Sequence, residues 1–153
     1  MAVSHWRAVE SALLDLQRSQ AELTAAKEQK EIQVSTNAAN LEAAQAELTI
    51  AQLDLQQYVE GTFPQMLGES KRNLEMSEIS VKTREQELAQ KQALFAKGFV
   101  NAAEVKNAQI NLLTAQNDLT KKQTDLTVLE KYNHEKDLTE KRNKLQQSEK
   151  KLD

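Results

Sequence analysis

The stretch that decides the fold of this chain is Lys97-Gly98-Phe99-Val100-Asn101-Ala102-Ala103-Glu104. Gly98 predicts the end of a helix, because glycine readily adopts the left-handed conformation just past a helix C-terminus. Asn101 predicts the N-cap of the next helix, and Glu104 lies three residues later, where its side chain can bond back to the Asn101 amide. A helix end and a helix start this close together predict a tight reversal with residues 98–101 at its tip.

The composition indicates that the rest of the chain is helical. The 153 residues include only 3 Gly and 1 Pro, which leaves few positions for chain reversals and argues against a β-rich or α/β fold. Ala, Leu, Gln, Glu and Lys dominate, and all are strong helix formers. Aromatic residues make up only 4% of the chain, which is little for a compact core. We therefore predict an all-α protein made of long helices.

Charge and hydropathy narrow the classes of partner. The formal net charge of −3 argues against binding to nucleic acid or to an anionic membrane surface. No apolar run approaches the roughly 18 residues of a membrane span. With no cysteine, the chain has no disulfide framework.

Apolar residues in the first part of the chain recur in alternating steps of three and four, the spacing of a coiled-coil seam. The phase holds over Trp6, Val9, Leu13, Leu16, Gln20, Leu23, Lys27, Lys30, Val34, Asn37, Leu41, Ala44, Leu48, Ala51, Leu55 and Tyr58. The polar exceptions lie between Gln20 and Asn37, so we expect this part of the helix to pack least well.

Glu60-Gly61-Thr62-Phe63-Pro64 interrupts that seam. Gly61 predicts a helix end, and Pro64 can begin a helix but cannot continue one. A second helix should follow, with an apolar stripe at Leu67, Leu74, Val81, Leu88 and Phe95 and a mostly polar companion stripe at Ser70, Ser77, Arg84 and Lys91. A third helix carries Val105, Ala108, Leu112, Ala115, Leu119, Lys122, Leu126, Leu129 and Asn133, and its phase slips beyond Tyr132.

These patterns predict a single domain over residues 1–153: a long antiparallel coiled-coil hairpin of three helical segments, at about 5–59, 65–97 and 102–152, with a break at 61–64. The break is either a kink within one ascending arm or a reversal that gives a three-helix rod. The one-sided stripe of the second helix favours the kink. Residues 5–42 would then lack a partner, which suggests a fragment of a longer protein.

Nothing in the sequence predicts an active site. His5 and His134 have no carboxylate or cysteine at metal-ligand spacing, so we expect both to be exposed helix residues. Glycine-rich phosphate loops and nucleophile motifs do not occur. We predict no catalytic, cofactor-binding or metal-binding residues, and a structural or binding role. At the tip, Phe99 either folds back over the end of the helix pair or presents an apolar knob to another protein.

The stretch from Gln90 to Glu104 resembles the hairpin tip of the HlyD-like periplasmic adaptor subunits, also called membrane fusion proteins, of tripartite efflux pumps and type I secretion systems. The sequence Ala108-Gln-Ile-Asn-Leu112 is similar to sequences in the helical arms of these proteins. The segment from Tyr58 to Gln65 is similar to an interruption in those arms. The resemblance implies a hairpin, anchored to the inner membrane through other domains, that bridges an inner-membrane transporter to a TolC-like outer-membrane channel in the periplasm.

In that family the tip commonly carries Arg-x3-Leu-x6-Ser, and this chain keeps the spacing with Gln90, Leu94 and Asn101. The resemblance implies that Leu94 is the apolar contact to the channel and that Asn101 stands in for the serine. Gln90 lacks the positive charge, for which Lys91 or Lys97 is a candidate replacement. With Gly98 and Phe99, these residues form the predicted partner-binding tip. The resemblance to the adaptor family further implies that the chain self-associates into an oligomer.

A second hypothesis comes from a different class of protein. Here the chain is a free-standing scaffold that dimerises as a coiled coil through residues 5–42, with Val9, Leu13 and Leu16 in the contact. The tip would then tolerate polar replacements at Leu94 and Phe99.

Overall fold

A computed structural model describes all of residues 1–153 and contains only helices and one tight turn. Four α-helices and two short π-helical turns follow one another along the chain. They are α1 (Ala2–Gln57), the first π turn (Tyr58–Thr62), α2 (Phe63–Ala96), α3 (Ala102–Val128), the second π turn (Leu129–Asn133) and α4 (His134–Leu152). The all-α prediction is confirmed. None of the helices is both long enough and apolar enough to span a bilayer.

The helices form a hairpin with two arms. The ascending arm runs through α1, the first π turn and α2, and the descending arm runs back through α3, the second π turn and α4. α2 packs against α3, and the C-terminal part of α1 packs against α4. Lys151 Nζ lies 2.8 Å from a Glu47 carboxylate oxygen, which fixes where α4 ends along α1. The predicted antiparallel hairpin with its tip at 98–101 is therefore what the chain forms.

The predicted break at 61–64 takes a different form from a helix end. The backbone stays right-handed helical at Tyr58, Thr62 and Phe63, and Phe63 N–H bonds to the Tyr58 carbonyl five residues back. Gly61 does not adopt a positive φ, so its interpretation as a helix stop is wrong. The ring of Pro64 would clash with the carbonyl of Glu60 in a regular α-helix, and the wider π turn lies at that residue. The chain does not reverse here.

At the same level along the rod, each arm contains one residue more than a regular α-helix would place between two packed positions. On the ascending arm the packed positions step from Tyr58 to Phe63, and on the descending arm from Leu129 to His134, five residues in each case. A π turn absorbs one residue more than an α turn does. Because both arms shift together, the packed faces above and below the π turns stay opposed. His134, not Asn133, therefore takes the packed position on the descending arm.

The interface between the arms is narrow and lined by small side chains. The buried residues are Ala51, Tyr58, Ser77, Ala108, Ala115, Leu129 and Ser148. Small residues allow two helix backbones to approach closely, and close approach compensates for the scarcity of large core side chains. Ser77 is the buried residue of the polar stripe on α2. Its hydroxyl donates a hydrogen bond across the interface to a carboxylate oxygen of Asp118, at 3.0 Å.

Residues 2–43 of α1 extend beyond the end of α4, and all of them are exposed. Their seam side chains, which have the same spacing as the packed residues Ala51 and Tyr58, are exposed to solvent. Among them, Leu13 is 53% exposed and Leu41 is 50% exposed. The expectation that residues 5–42 lack a partner within this chain is confirmed.

Candidate partner-binding tip

The end of α2 closes with backbone bonds that bring two apolar residues together. Gly98, at φ +80°, donates its N–H to the Phe95 carbonyl at 3.0 Å, and Phe99 donates to the Leu94 carbonyl at 2.9 Å. These two bonds define a Schellman motif, which needs a left-handed residue at the glycine position. The same motif commonly sets a hydrophobic residue after the glycine beside one in the last helical turn. Here that pair is Phe99 and Leu94.

The start of α3 is held by a capping box. The Asn101 side-chain oxygen accepts from Glu104 N–H at 3.0 Å, and a Glu104 carboxylate oxygen accepts from Asn101 N–H at 3.1 Å. The caps predicted at Gly98 and Asn101 are therefore both present. Only Phe99 and Val100 separate Gly98 from Asn101, so hydrogen bonds hold the backbone on both sides of the tip.

The apolar side chains at the tip remain open to solvent. Phe99 is 74% exposed and Leu94 is 38% exposed, while Val100 is half-buried at the end of the helix pair. Of the two expected arrangements of Phe99, the structure shows the outward one. Phe99 therefore offers an exposed apolar surface at the tip.

The polar residues of the predicted site surround this apolar pair. Gln90 is exposed one helical turn before Leu94, and Asn101 is exposed but uses its side-chain oxygen for the cap. Lys91 forms an ion pair with Glu104 at 3.8 Å, whereas Lys97 makes no ion pair. Of the two lysines considered as replacements for the missing arginine, Lys97 is the one with a free ammonium group. The structure thus brings together all five residues predicted for the tip.

A second cluster, which sequence reasoning missed, lies where the two π turns meet. The His134 ring stacks on Phe63 with ring centres 3.7 Å apart and on Tyr58 at 5.8 Å. The Tyr58 hydroxyl lies 3.1 Å from His134 Nδ1 and 3.4 Å from the His134 carbonyl oxygen. The prediction that His134 is an exposed helix residue is wrong. The five-residue steps to Phe63 and to His134 were the signal that would have found this cluster.

Burial governs the chemistry of that cluster. Removal of Tyr58 from water raises the pKa of its hydroxyl above the ordinary value of 10.0, and the nearby carboxylate of Asp137 raises it further. The hydroxyl therefore stays protonated and can donate a hydrogen bond over the whole neutral range. Lys141 Nζ lies 5.6 Å from the centre of the Tyr58 ring, within the range of a cation–π contact. These contacts indicate a structural joint between the arms.

No three or more histidine, cysteine or acidic side chains come together at a spacing that would hold a metal ion. Comparison of the chain with protein-family models, with curated proteins and with solved structures gave no match.

Proposed function

We propose that this chain is the helical hairpin of a periplasmic adaptor and that its tip contacts a TolC-like outer-membrane channel. The supporting observation is the exposed pair Leu94 and Phe99, held outward on a capped, rigid turn at the far end of a long rod. The adaptor would bridge that channel to an inner-membrane transporter for efflux or secretion. In this proposal the chain is not an enzyme.

The paired arms form a long, narrow rod. The paired part of each arm is about 50 residues long, which corresponds to about 75 Å at the α-helical rise. We propose that the two arms pair as an antiparallel coiled coil, because the packed positions on both arms follow alternating steps of three and four on either side of the π turns. The paired π turns then keep this seam continuous along the whole rod.

The chemistry of the tip defines the surface it would bind. Phe99 and Leu94 would fit an apolar groove on the partner. Gln90 and Asn101 would offer their side-chain amides for hydrogen bonds to that partner's backbone or side chains. Lys97 is the only unpaired charge among the tip residues. Binding through such a surface should depend only slightly on salt. A single tip should bind weakly, and several copies packed side by side would gain affinity through multivalency.

The test is a binding measurement with dense copies of the hairpin. The 153-residue chain would be immobilised on a sensor surface, and a purified TolC-like channel passed over it. We expect Leu94→Asp to reduce channel binding at least tenfold, because the substitution places a charge in the apolar contact. Ile110→Asp is the matched control, since Ile110 is 51% exposed but lies on α3 away from the tip.

Two results would contradict the proposal. One is equal binding by the wild type and Leu94→Asp, with circular dichroism showing both to be helical. The other is unchanged efflux or secretion when the same substitution is made in the adaptor that carries this hairpin. In either case the scaffold hypothesis, which needs no tip contact, would become the better account.

A further inference from the structure

The two π turns interrupt both arms at one level of the rod. In the first turn Phe63 donates its N–H to the Tyr58 carbonyl, and in the second His134 donates to the Leu129 carbonyl, five residues back in each case. The ascending arm is weakened further, because Pro64 has no N–H to donate to the turn before it. Helices bend most readily at π turns and at proline, and here both helices of the pair can bend at the same level.

Each half of the rod is held together by its own contacts between the arms. In the tip half, formed by α2 and α3, the Ser77 hydroxyl donates to Asp118. In the base half, formed by α4 and the part of α1 opposite it, Lys144 Nζ lies 3.8 Å from an Asp54 carboxylate oxygen, and Lys151 pairs with Glu47. None of these contacts joins one half to the other, so a bend between the halves would leave both interfaces intact.

We propose that the joint, formed by the two π turns and the rings between them, is a hinge about which the tip half swings relative to the base half. Its axis would run across both π turns, at right angles to the rod and in the plane of the two arms. A bend within that plane would have to lengthen one arm and shorten the other, which hydrogen-bonded helices resist. A bend out of the plane changes neither length, so the tip would swing toward the broad sides of the rod.

The rings at the joint allow such a bend without opening a gap. Phe63 and His134 are stacked, with ring centres 3.7 Å apart and planes 23° apart. Flat rings can slide over one another while they stay in contact, whereas interdigitated side chains cannot. The Tyr58 hydroxyl has two partners within reach on His134, Nδ1 at 3.1 Å and the carbonyl oxygen at 3.4 Å. It can therefore keep a hydrogen bond as the rings move.

The hinge goes beyond the proposed contact at the tip and does not depend on it. A rod that bends at the joint can direct its tip toward a partner that is not in line with its base.

Spin labels can measure the bend, because the chain has no native cysteine. Gln52, Lys71 and Ala89 are exposed, and each directly follows a packed residue, so all three lie on one broad side of the ascending arm. Cysteines at Gln52 and Lys71 span the joint, and cysteines at Lys71 and Ala89 lie within the tip half as the matched control. Both pairs are five helical turns apart, which corresponds to about 27 Å.

We expect double electron–electron resonance to give a distance distribution about twice as broad for the spanning pair as for the control pair. A bend of about 20° would change the spanning distance by about 3 Å, because the labels stand about 10 Å from the hinge axis. Equal widths for the two pairs would overturn the proposal.

A stiffened chain separates bending at the joint from motion of the labels themselves. Deleting Glu60 and Glu130 removes the extra residue from both arms, and Pro64→Ala restores the missing N–H. Both arms then become regular α-helices, and we expect the spanning distribution to become as narrow as the control while circular dichroism stays helical. A spanning distribution that stays broad in this helical chain would place the motion outside the joint and contradict the hinge.

Discussion

The two halves of α1 carry the same pattern and have different surroundings. From Ala44 to Tyr58 the seam side chains pack against α4, whereas from Trp6 to Leu41 side chains at the same spacing face solvent. Periodicity therefore predicts that a helix has a face to cover, but it does not say what covers that face. The two arms pair as far as Glu47, whose carboxylate lies 2.8 Å from Lys151 Nζ of α4.

The largest effect should come from a change of register within the paired part. Deleting Glu60 from the first π turn rotates α2 relative to α1 by about 100°. One stretch of the seam would then lose its partner, and we expect the free energy of unfolding to fall by about 3 kcal/mol or more. Urea unfolding followed by circular dichroism would measure this loss.

A second deletion provides the control for the first. Removing Glu130 from the second π turn as well should restore most of the lost stability, because both arms again step together. Glu60 and Glu130 are both exposed, so neither deletion removes a packed side chain. If the double deletion were no more stable than the single one, the π turns would not act as a matched pair.

A smaller effect should separate the paired and unpaired parts directly. Leu129→Ala removes a side chain that is only 7% exposed and should cost about 2–3 kcal/mol, toward the lower part of the usual range because the interface is thin. Leu41→Ala removes the same atoms from an exposed seam position and should cost less than about 0.5 kcal/mol. Equal costs would mean that Leu41 is covered after all.

The smallest effects should come from Gly61 and Gly98, each of which the sequence predicts to end a helix. Gly98→Ala should destabilise the chain by about 1–2 kcal/mol, because a side chain is strained at φ +80° whatever the space around it. Gly61→Ala should stabilise it by about 0.5–1 kcal/mol, because Gly61 is helical with open space around its Cα. Thermal unfolding of both variants would show shifts of opposite sign. A destabilising Gly61→Ala would indicate that the chain does turn at 61–64.

The sequence predicted both caps of the tip, left the arrangement of Phe99 open, and predicted the joint between the arms only in part. Gly98, Asn101 and Glu104 act within a few residues of one another, so their roles depend on local backbone geometry that spacing alone specifies. Whether the helix continues through Gly61 and Pro64 depends on packing against the opposing arm. The role of His134 likewise depends on Tyr58 and Phe63, which lie on the other arm. Long-range partners of this kind do not appear in a local pattern.

In the structure, α1 and α2 form one arm that continues through the first π turn. Spin labels on cysteines introduced at Gln45 and Ser80, both exposed, would test it by double electron–electron resonance. A continuous arm places these positions about 50 Å apart, from 35 residues at the α-helical rise. A reversal at 61–64 would pack the same two positions side by side, giving a distance below about 25 Å. The first result would support this account, and the second would contradict it.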